Sequence, residues 1–317
     1  MTDILFIIEK IATHIQDDYS DDLLMAEHLR RGHRVLAAEP VDISLQNLEP
    51  MVFCHEYHRK KKVRFKSVGL LSANAMDFIY YRAMPPVEKD VLHATQILDF
   101  STAQFCNAPS AIRNLNEKLM IYHFPDLTPP TLVTSHASDI LKFALQHGWP
   151  LVVKPLDGYQ ALGVQKVMSA QGLPEMTRLM MVQPYLQGVE SKGSKRVFIL
   201  RDSALDAITF LPKPGDFRSN YGGVFAREAA TLTQKEVQAC IRIASFLTGH
   251  GVQFSALDFI DGYLMEINIT CPGGLPVYYA QHGIRLEERI VETLMTGVGQ
   301  IQFAIKSPAL YNASIKH

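Results

Sequence analysis

Three oxygen-bearing side chains, Asp258, Glu266 and Asn268, sit in the run 255–270, SALDFIDGYLMEINIT. Two apolar, β-rich runs flank Asp261-Gly262, a strong short-range hairpin signal. In the second run Glu266, Asn268 and Thr270 share one face, and Met265, Ile267 and Ile269 share the other. The turn decides where Asp258 points. A two-residue loop pairs it with Met265, away from Glu266. A three-residue loop with Gly262 left-handed pairs it with Glu266 and sets both carboxylates on the face of Asn268. Two carboxylates and an amide on one rigid face are oxygen ligands suited to magnesium. The same alternation also suits a hairpin whose polar face meets only water.

Cationic and amide-bearing segments precede this run. Lys154 follows Leu151-Val-Val in an apolar strand, where an ammonium must pair or snorkel. The loop after it, LDGYQALG, holds Gly158 and Gly163 and can offer main-chain N–H groups to phosphate oxygens. It is neither a P-loop nor a dinucleotide-binding fingerprint. Lys118 lies in Asn116-Glu-Lys-Leu-Met, read as the start of an amphipathic helix. The run Met180-Met-Val-Gln-Pro-Tyr-Leu186 reads as a strand ending in irregular backbone, where amide and carbonyl groups could read an adenine edge. Arg218-Ser-Asn220-Tyr-Gly222-Gly223 gathers a charge, an amide and flexible backbone, a combination suited to a carboxylate or phosphate and equally to an ordinary turn.

The elements that must carry these residues divide the chain. Strands at 4–8, 33–38 and 77–81 alternate with helices at 20–31, capped by Ser20, and 88–98, which implies an open α/β layer. A compact α+β unit follows: a strand at 131–134, a helix at 138–146, and strands at 151–155, 163–168 and 180–185. The last third has strands at 196–200 and 205–211, a helix at 233–250, the acidic hairpin and a final helix at 286–295. Domains are expected at 1–117, 118–187 and 188–317. A chain of 317 residues fits two or three subdomains. With 47% hydrophobic and 20% charged residues it is neither disordered nor fibrous, and a net charge of −1 gives no bulk attraction to nucleic acid or an acidic membrane. The one basic cluster, HRKKKVRFK at 58–66, reads as a solvated loop. Four scattered cysteines suit a reducing cytoplasm and no zinc ribbon. The start lacks a signal peptide's basic region, and no apolar run approaches a membrane span, so a soluble cytoplasmic protein is expected.

The order of the motifs is more specific than any one of them. Asn-Glu-Lys-Leu, Lys-Pro-Leu-Asp-Gly, Gln-x-Tyr-Leu, Lys-Arg-Val, Arg-x-Asn and Leu-Asp…Glu-Ile-Asn-x-Thr-x-Pro follow one another in a way that resembles the ATP-grasp ligases, and among them the prokaryotic glutathione synthetases. The resemblance runs from about residue 82 to 272 and includes NAPSAIRNLNEKL at 107–119 and FPDLTPP at 124–130. It implies an ATP-grasp fold with an N-terminal open α/β domain, a small α+β lid and a C-terminal α+β domain. It also implies ATP with two magnesium ions, or Mn2+ in their place, small-molecule substrates and a homo-oligomer. By resemblance Lys118, Lys154 and Arg196 neutralise ATP phosphates beside the loop of Gly158 and Gly163, and Gln183, Pro184, Tyr185 and Leu186 hold adenine. Asp258, Glu266 and Asn268 ligate metal. Arg218 and Asn220, with Gly222 and Gly223, orient a phosphorylated carboxylate, while Arg82 and Arg113 bind substrate. The implied reaction joins γ-glutamylcysteine to glycine through an acyl phosphate, under a lid at about 131–185.

Several positions depart from that family's pattern. Gln160 and Ala161 stand where glycines are expected, and side chains there stiffen the loop. Ser194 replaces an aspartate, Phe210 an arginine, and Met84 an aspartate, and Val-Phe-Ala-Arg227-Glu228 replaces Arg-Gly-Glu. These changes leave open a carboxylate–amine ligase with other small substrates, and a nucleotide-binding regulatory protein without catalysis.

Overall fold

The computed structural model of the chain describes residues 2–11, 19–59, 63–84, 87–219, 226–296 and 298. Its first sheet contains β1 (Asp3–Ile7), β2 (Arg34–Ala38), β3 (Ile43–Gln46), β4 (Glu49–Arg59), β5 (Val63–Ser72), β6 (Phe78–Tyr81) and β7 (Gln104–Cys106). Their order is β3-β4-β2-β1-β6-β7, with β5 on β4. The centre, β2-β1-β6-β7, is parallel, and β3, β4 and β5 add an antiparallel flank. Alternate residues of β1 enter two cores: Ile4 and Phe6 pack in one, Leu5 and Ile7 in the other. Both faces of β1 are therefore covered, which explains its unbroken apolar run. Helices α1 (Ser20–Arg30), α2 (Lys89–Leu98) and α3 (Pro109–Asn114) belong to this part of the chain.

The second sheet is β8 (Leu132–Thr134), β9 (Leu151–Pro155), β10 (Gln165–Val167) and β11 (Met180–Pro184), ordered β10-β9-β11-β8 and antiparallel. Helix α4 (Ala137–His147) covers it, with Ile140 and Ala144 packed among Leu151, Val153 and Val182. The third sheet holds β12 (Ser194–Leu200), β13 (Ser203–Leu211), β14 (Ala226–Ala229), β15 (Phe254–Ile260) and β16 (Tyr263–Asn268), ordered β14-β13-β12-β15-β16. Helices α5 (Gly188–Lys192), α6 (Gln234–Gly249), α7 (Leu275–His282) and α8 (Leu286–Met295) accompany it. Thr233 and Glu236 close a reciprocal capping box at the start of α6, at 3.2 and 2.7 Å. Among the described residues no helix is long and apolar enough to cross a membrane.

Four expectations change. The described part of the basic cluster lies in paired strands rather than a loop, with His58 and Arg59 in β4 and Val63 to Lys66 in β5, while 60–62 lie outside the described residues. Lys118 precedes a short 3-10 turn at Leu119–His123, not an α-helix. Tyr19, not Ser20, occupies the cap position of α1. The Ser20 hydroxyl instead accepts hydrogen bonds from the Gly274 and Leu275 amides, both at 3.1 Å, where α7 begins. The acidic hairpin satisfies neither simple loop. Asp261 (φ 51°) and Gly262 (φ 80°) form a two-residue turn, yet Asp258 faces Glu266 because a bulge makes Met265 the extra residue.

Candidate active site

The bulge in β16 organises the site. It returns Asp258 and Glu266 to one face and leaves the Met265 carbonyl to accept a hydrogen bond from Lys154 Nζ at 3.2 Å. Asn268 donates from Nδ2 to Asp258 Oδ2 at 3.1 Å and to the Ala256 carbonyl at 3.2 Å, which orients the amide beside the carboxylate. Asp258 accepts a two-pronged ion pair from Arg196 on the neighbouring strand β12, at 2.8 and 2.6 Å. Glu266 accepts from Lys118 Nζ at 2.8 Å, and Lys118 also donates to the Gly158 carbonyl of the loop after β9. Two carboxylates and three cations thus meet in a wall between the second and third sheets.

Burial makes their protonation unusual. Lys154 is 8% exposed, and burial pulls its ammonium down to about 8 despite the opposing charge of Glu266. Burial pushes the Glu266 carboxyl up, but the charges of Lys118 and Lys154 and the Lys118 hydrogen bond outweigh it and hold the group below the usual carboxylate range. Glu117 goes the other way. Burial and the Glu266 charge raise it, although its Oε1 accepts from the Ile269 and Thr270 amides at 2.7 and 2.8 Å. Arg218 lies near Asp216, whose hydrogen bonds with that guanidinium lower its carboxyl to about 2.

A cavity of about 760 Å³ opens on this wall, a size ordinary for a small-molecule site. The structure brings Arg82, Lys118, Lys154, Gly158, Arg196 and Arg218 to its lining, together with Asp258, Glu266 and Asn268. Gln183, Pro184, Tyr185 and Leu186 line it from the end of β11. Gly163 does not reach it. That residue is left-handed (φ 75°), and a Cβ there would come within 3.2 Å of the Pro155 ring. Arg113 is also elsewhere: its guanidinium pairs with Asp99 and donates to the Thr95 carbonyl at 3.3 Å, tying α3 to α2. Arg82 is committed to a buried ion pair with Asp21 and to the Pro272 carbonyl at 3.1 Å. Asn220, Gly222 and Gly223 lie outside the described residues.

Glu117, Asp21 and Cys271 line the cavity, and the sequence assigned none of them a role. Glu117 stood inside the Asn-Glu-Lys motif, and its neighbour's charge drew the assignment. Asp21 and Cys271 come from the start of α1 and the segment after β16, and no sequence spacing links them. The departures from the family pattern also line the cavity. Ser194 and Ser219 share a hydrogen bond, Phe210 lies 5.6 Å beneath the Arg196 guanidinium, and Met84 faces the same space. Gln160 (φ 49°) and Ala161 (φ 55°) hold left-handed backbone, so the path expected of glycines is kept by residues that pay a steric penalty for it.

The donor set suits a magnesium–nucleotide pair. Asp258, Glu266 and the Asn268 amide are hard oxygen ligands, and among the described residues no group of three or more His, Cys, Asp or Glu side chains forms a self-sufficient metal cage. Magnesium usually takes one or two carboxylates and completes its shell with water and phosphate. At the end of β11, Gln183 donates to Thr131 Oγ1 at 2.9 Å, while its buried Oε1 has no partner among the described residues. An unsatisfied acceptor of that kind fits a donor such as an exocyclic amine.

Comparison with known proteins places this geometry. The family model for the ATP-grasp domain of prokaryotic glutathione synthetase matches residues 117–281, and that for the N-terminal domain of prokaryotic glutathione synthetase matches residues 2–113. A glutathione synthetase of Gloeobacter violaceus is 33% identical over 323 residues, covering 92% of this chain and 96% of its own. Among solved structures, a RiPP-associated ATP-grasp ligase of Chryseobacterium gregarium, in complex with ADP and a leader and core peptide, superposes with a TM-score of 0.65 at 15% identity, over 93% of this chain and 97% of its own. The ATP-grasp ligase PsnB, complexed with a precursor variant, Mg and ADP, gives 0.64 at 12% identity, over 93% and 98%. At such identities these two structures establish the fold alone.

Proposed function

The chain belongs to the prokaryotic glutathione synthetase family and is an ATP-dependent carboxylate–amine ligase of the ATP-grasp fold, and from that premise we propose that it joins γ-glutamylcysteine to glycine, making glutathione, ADP and phosphate. The observation that carries this reading is the gathering of Lys118, Lys154 and Arg196, from three separate elements, around Asp258, Glu266 and Asn268 in one cavity.

A carboxylate is a poor electrophile because its leaving group would be oxide. In the proposed reaction the cysteinyl carboxylate oxygen attacks the γ-phosphorus of ATP, ADP departs and an acyl phosphate forms. The glycine amine, as the free base, then attacks the acyl carbon, phosphate leaves, and the ammonium nitrogen releases its proton. Such transfer needs alignment and charge neutralisation more than a side-chain nucleophile. Lys118, Lys154 and Arg196 neutralise the phosphates, and Gln183, Pro184, Tyr185 and Leu186 hold the base. Asp258, Glu266 and Asn268 would hold magnesium, two ions in this reading with Mn2+ as a substitute, which supplies further charge neutralisation when bound. Arg218 orients the activated carboxylate. The second sheet and the loop at 156–163 act as the lid that keeps water from the acyl phosphate. Residence in the cytoplasm accords with the cysteine usage and with the absence of a membrane-spanning helix among the described residues.

Phe210 and Met84 on the cavity wall favour one second reading, the same chemistry on a different small peptide or amino acid. Phosphate release from ATP and magnesium with γ-glutamylcysteine, with and without glycine, separates the two. Turnover that needs both substrates and yields glutathione by mass supports the first. Binding of ATP with no turnover on that pair rejects it in favour of the second.

A further inference from the structure

We propose that Glu117 is a positioning residue: its main chain and carboxylate together do the work of a neighbouring strand along the outer edge of β16, and so fix where Glu266 and Asn268 stand. The inference rests on the ligase reading above. Among the described residues β16 is the last strand of its sheet, and its outer N–H groups meet no strand. They are satisfied instead by the segment that carries Lys118. Leu264 N donates to the Leu127 carbonyl at 2.8 Å, and Ile267 N donates to the Glu117 carbonyl at 3.0 Å. Ile269 N and Thr270 N then donate to Glu117 Oε1, at 2.7 and 2.8 Å. Three consecutive contacts from one residue thus bracket Asn268 and follow directly on Glu266. The next residue in the chain, Lys118, donates to Glu266 Oε1 at 2.8 Å, so the anchorage of residue 117 also sets that ion pair.

The carboxylate serves as an acceptor: its Oε1 is already held by the Ile269 and Thr270 amides. The strand needs an oxygen at that point and not a charge. Outer partners that orient ligating side chains commonly change metal affinity by about ten- to a hundredfold when removed.

Two near-isosteric variants test this. Glu117→Gln keeps an acceptor oxygen at the same reach and drops the charge. Glu117→Asp keeps the charge and withdraws both oxygens by one methylene. ADP binding is measured calorimetrically without metal and at saturating magnesium, beside thermal unfolding of each variant. The expected result is that Glu117→Asp loses about tenfold of its magnesium-dependent affinity with metal-free affinity unchanged, while Glu117→Gln stays within about threefold of wild type in both. An aspartate variant that matches wild type overturns the inference. So does a glutamine variant that falls further than the aspartate one, or a loss of equal size with and without magnesium. A wild type that binds no ADP at any magnesium concentration overturns the ligase reading itself, an outcome distinct from the others.

Discussion

Nucleotide affinity is expected to fall as pH rises from 7 to 9, and the group responsible is Lys154. Burial lowers its ammonium from 10.5 to about 8, and its Nζ donates to the Met265 carbonyl at 3.2 Å, a dipole and not a counter-charge. The folded chain therefore releases this proton near pH 8, whereas the unfolded chain keeps it to about 10.5. Below pH 8 the charged form disfavours the folded state by roughly 3 kcal/mol relative to an unburied lysine, a penalty relieved as pH climbs from 8 to 10.5. Binding runs with the opposite sign. In the proposed nucleotide site phosphate oxygens would add counter-charge, so binding favours the protonated lysine. At pH 9 only about a tenth of the free protein carries that charge, and the apparent affinity is about tenfold weaker than at pH 7. Calorimetric titration of ADP with magnesium, in two buffers of different ionisation enthalpy, reads both quantities: the fall in affinity and an uptake approaching one proton near pH 9. Lys154→Met is expected to bind more weakly at pH 7 and to show no slope. A flat wild-type profile, or the same slope in Lys154→Met, refutes the reasoning.

Three further outcomes follow from particular contacts. Glu266→Gln removes the carboxylate proposed to hold magnesium and the partner of Lys118, so the added thermal stabilisation that magnesium gives with ATP in the wild type is expected to vanish in the variant; its survival would remove Glu266 from the proposed metal site. Ala161→Gly relieves a left-handed side-chain position, at φ 55°, and is expected to stabilise the fold by about 1 kcal/mol in urea unfolding. A loss of stability there would mean that the methyl group packs favourably. Arg82→Met strands Asp21 in a site where the two side chains are 2% and 7% exposed. It is expected to cost about 3–5 kcal/mol, part of which Asp21→Asn recovers in the double variant. A cost below about 1 kcal/mol would show that water reaches the pair.

Much of this fold was legible because apolar patterning speaks directly of burial. The strand at β1, the α4 unit with its sheet, and the capped helix α6 all follow from residue type and spacing. The β4–β5 hairpin did not, because its strands pair mostly with each other and carry basic residues on both sides of their connection. β4 does alternate, burying Pro50, Val52, Cys54 and Tyr57, but β5 buries only Val63, and the lysine run between them masks the pattern in the sequence. Ser20 misled for a different reason: a hydroxyl before a helix has one obvious local acceptor role, yet here the amides it serves are 254 and 255 residues away. Arg113 misled because a guanidinium near a motif gives no hint that an aspartate just past the end of the adjacent helix holds it.

The hairpin at Asp258 shows what sequence spacing leaves out of a site. Loop length alone offered two registers, and the bulge at Met265 reconciles the tighter turn with the pairing of the looser one. Charge compensation is likewise invisible in one dimension. Asp258 with Arg196 and Glu266 with Lys118 already neutralise one another, as buried charges must. Lys154 is the cation left to the Met265 carbonyl, and its lowered proton affinity is the consequence. That balance gives the Phe210 departure a physical meaning. An arginine at 210 would set a second guanidinium against Arg196, 5.6 Å from where the phenyl ring now lies, in a wall where Asp21 is already paired with Arg82 and Glu117 has its own proton affinity raised by burial and by Glu266. A phenyl face beneath Arg196 stabilises the existing cation without adding another. The substitution therefore suits the charges that remain, and the place to look for its effect is in which substrate anion the cavity accepts.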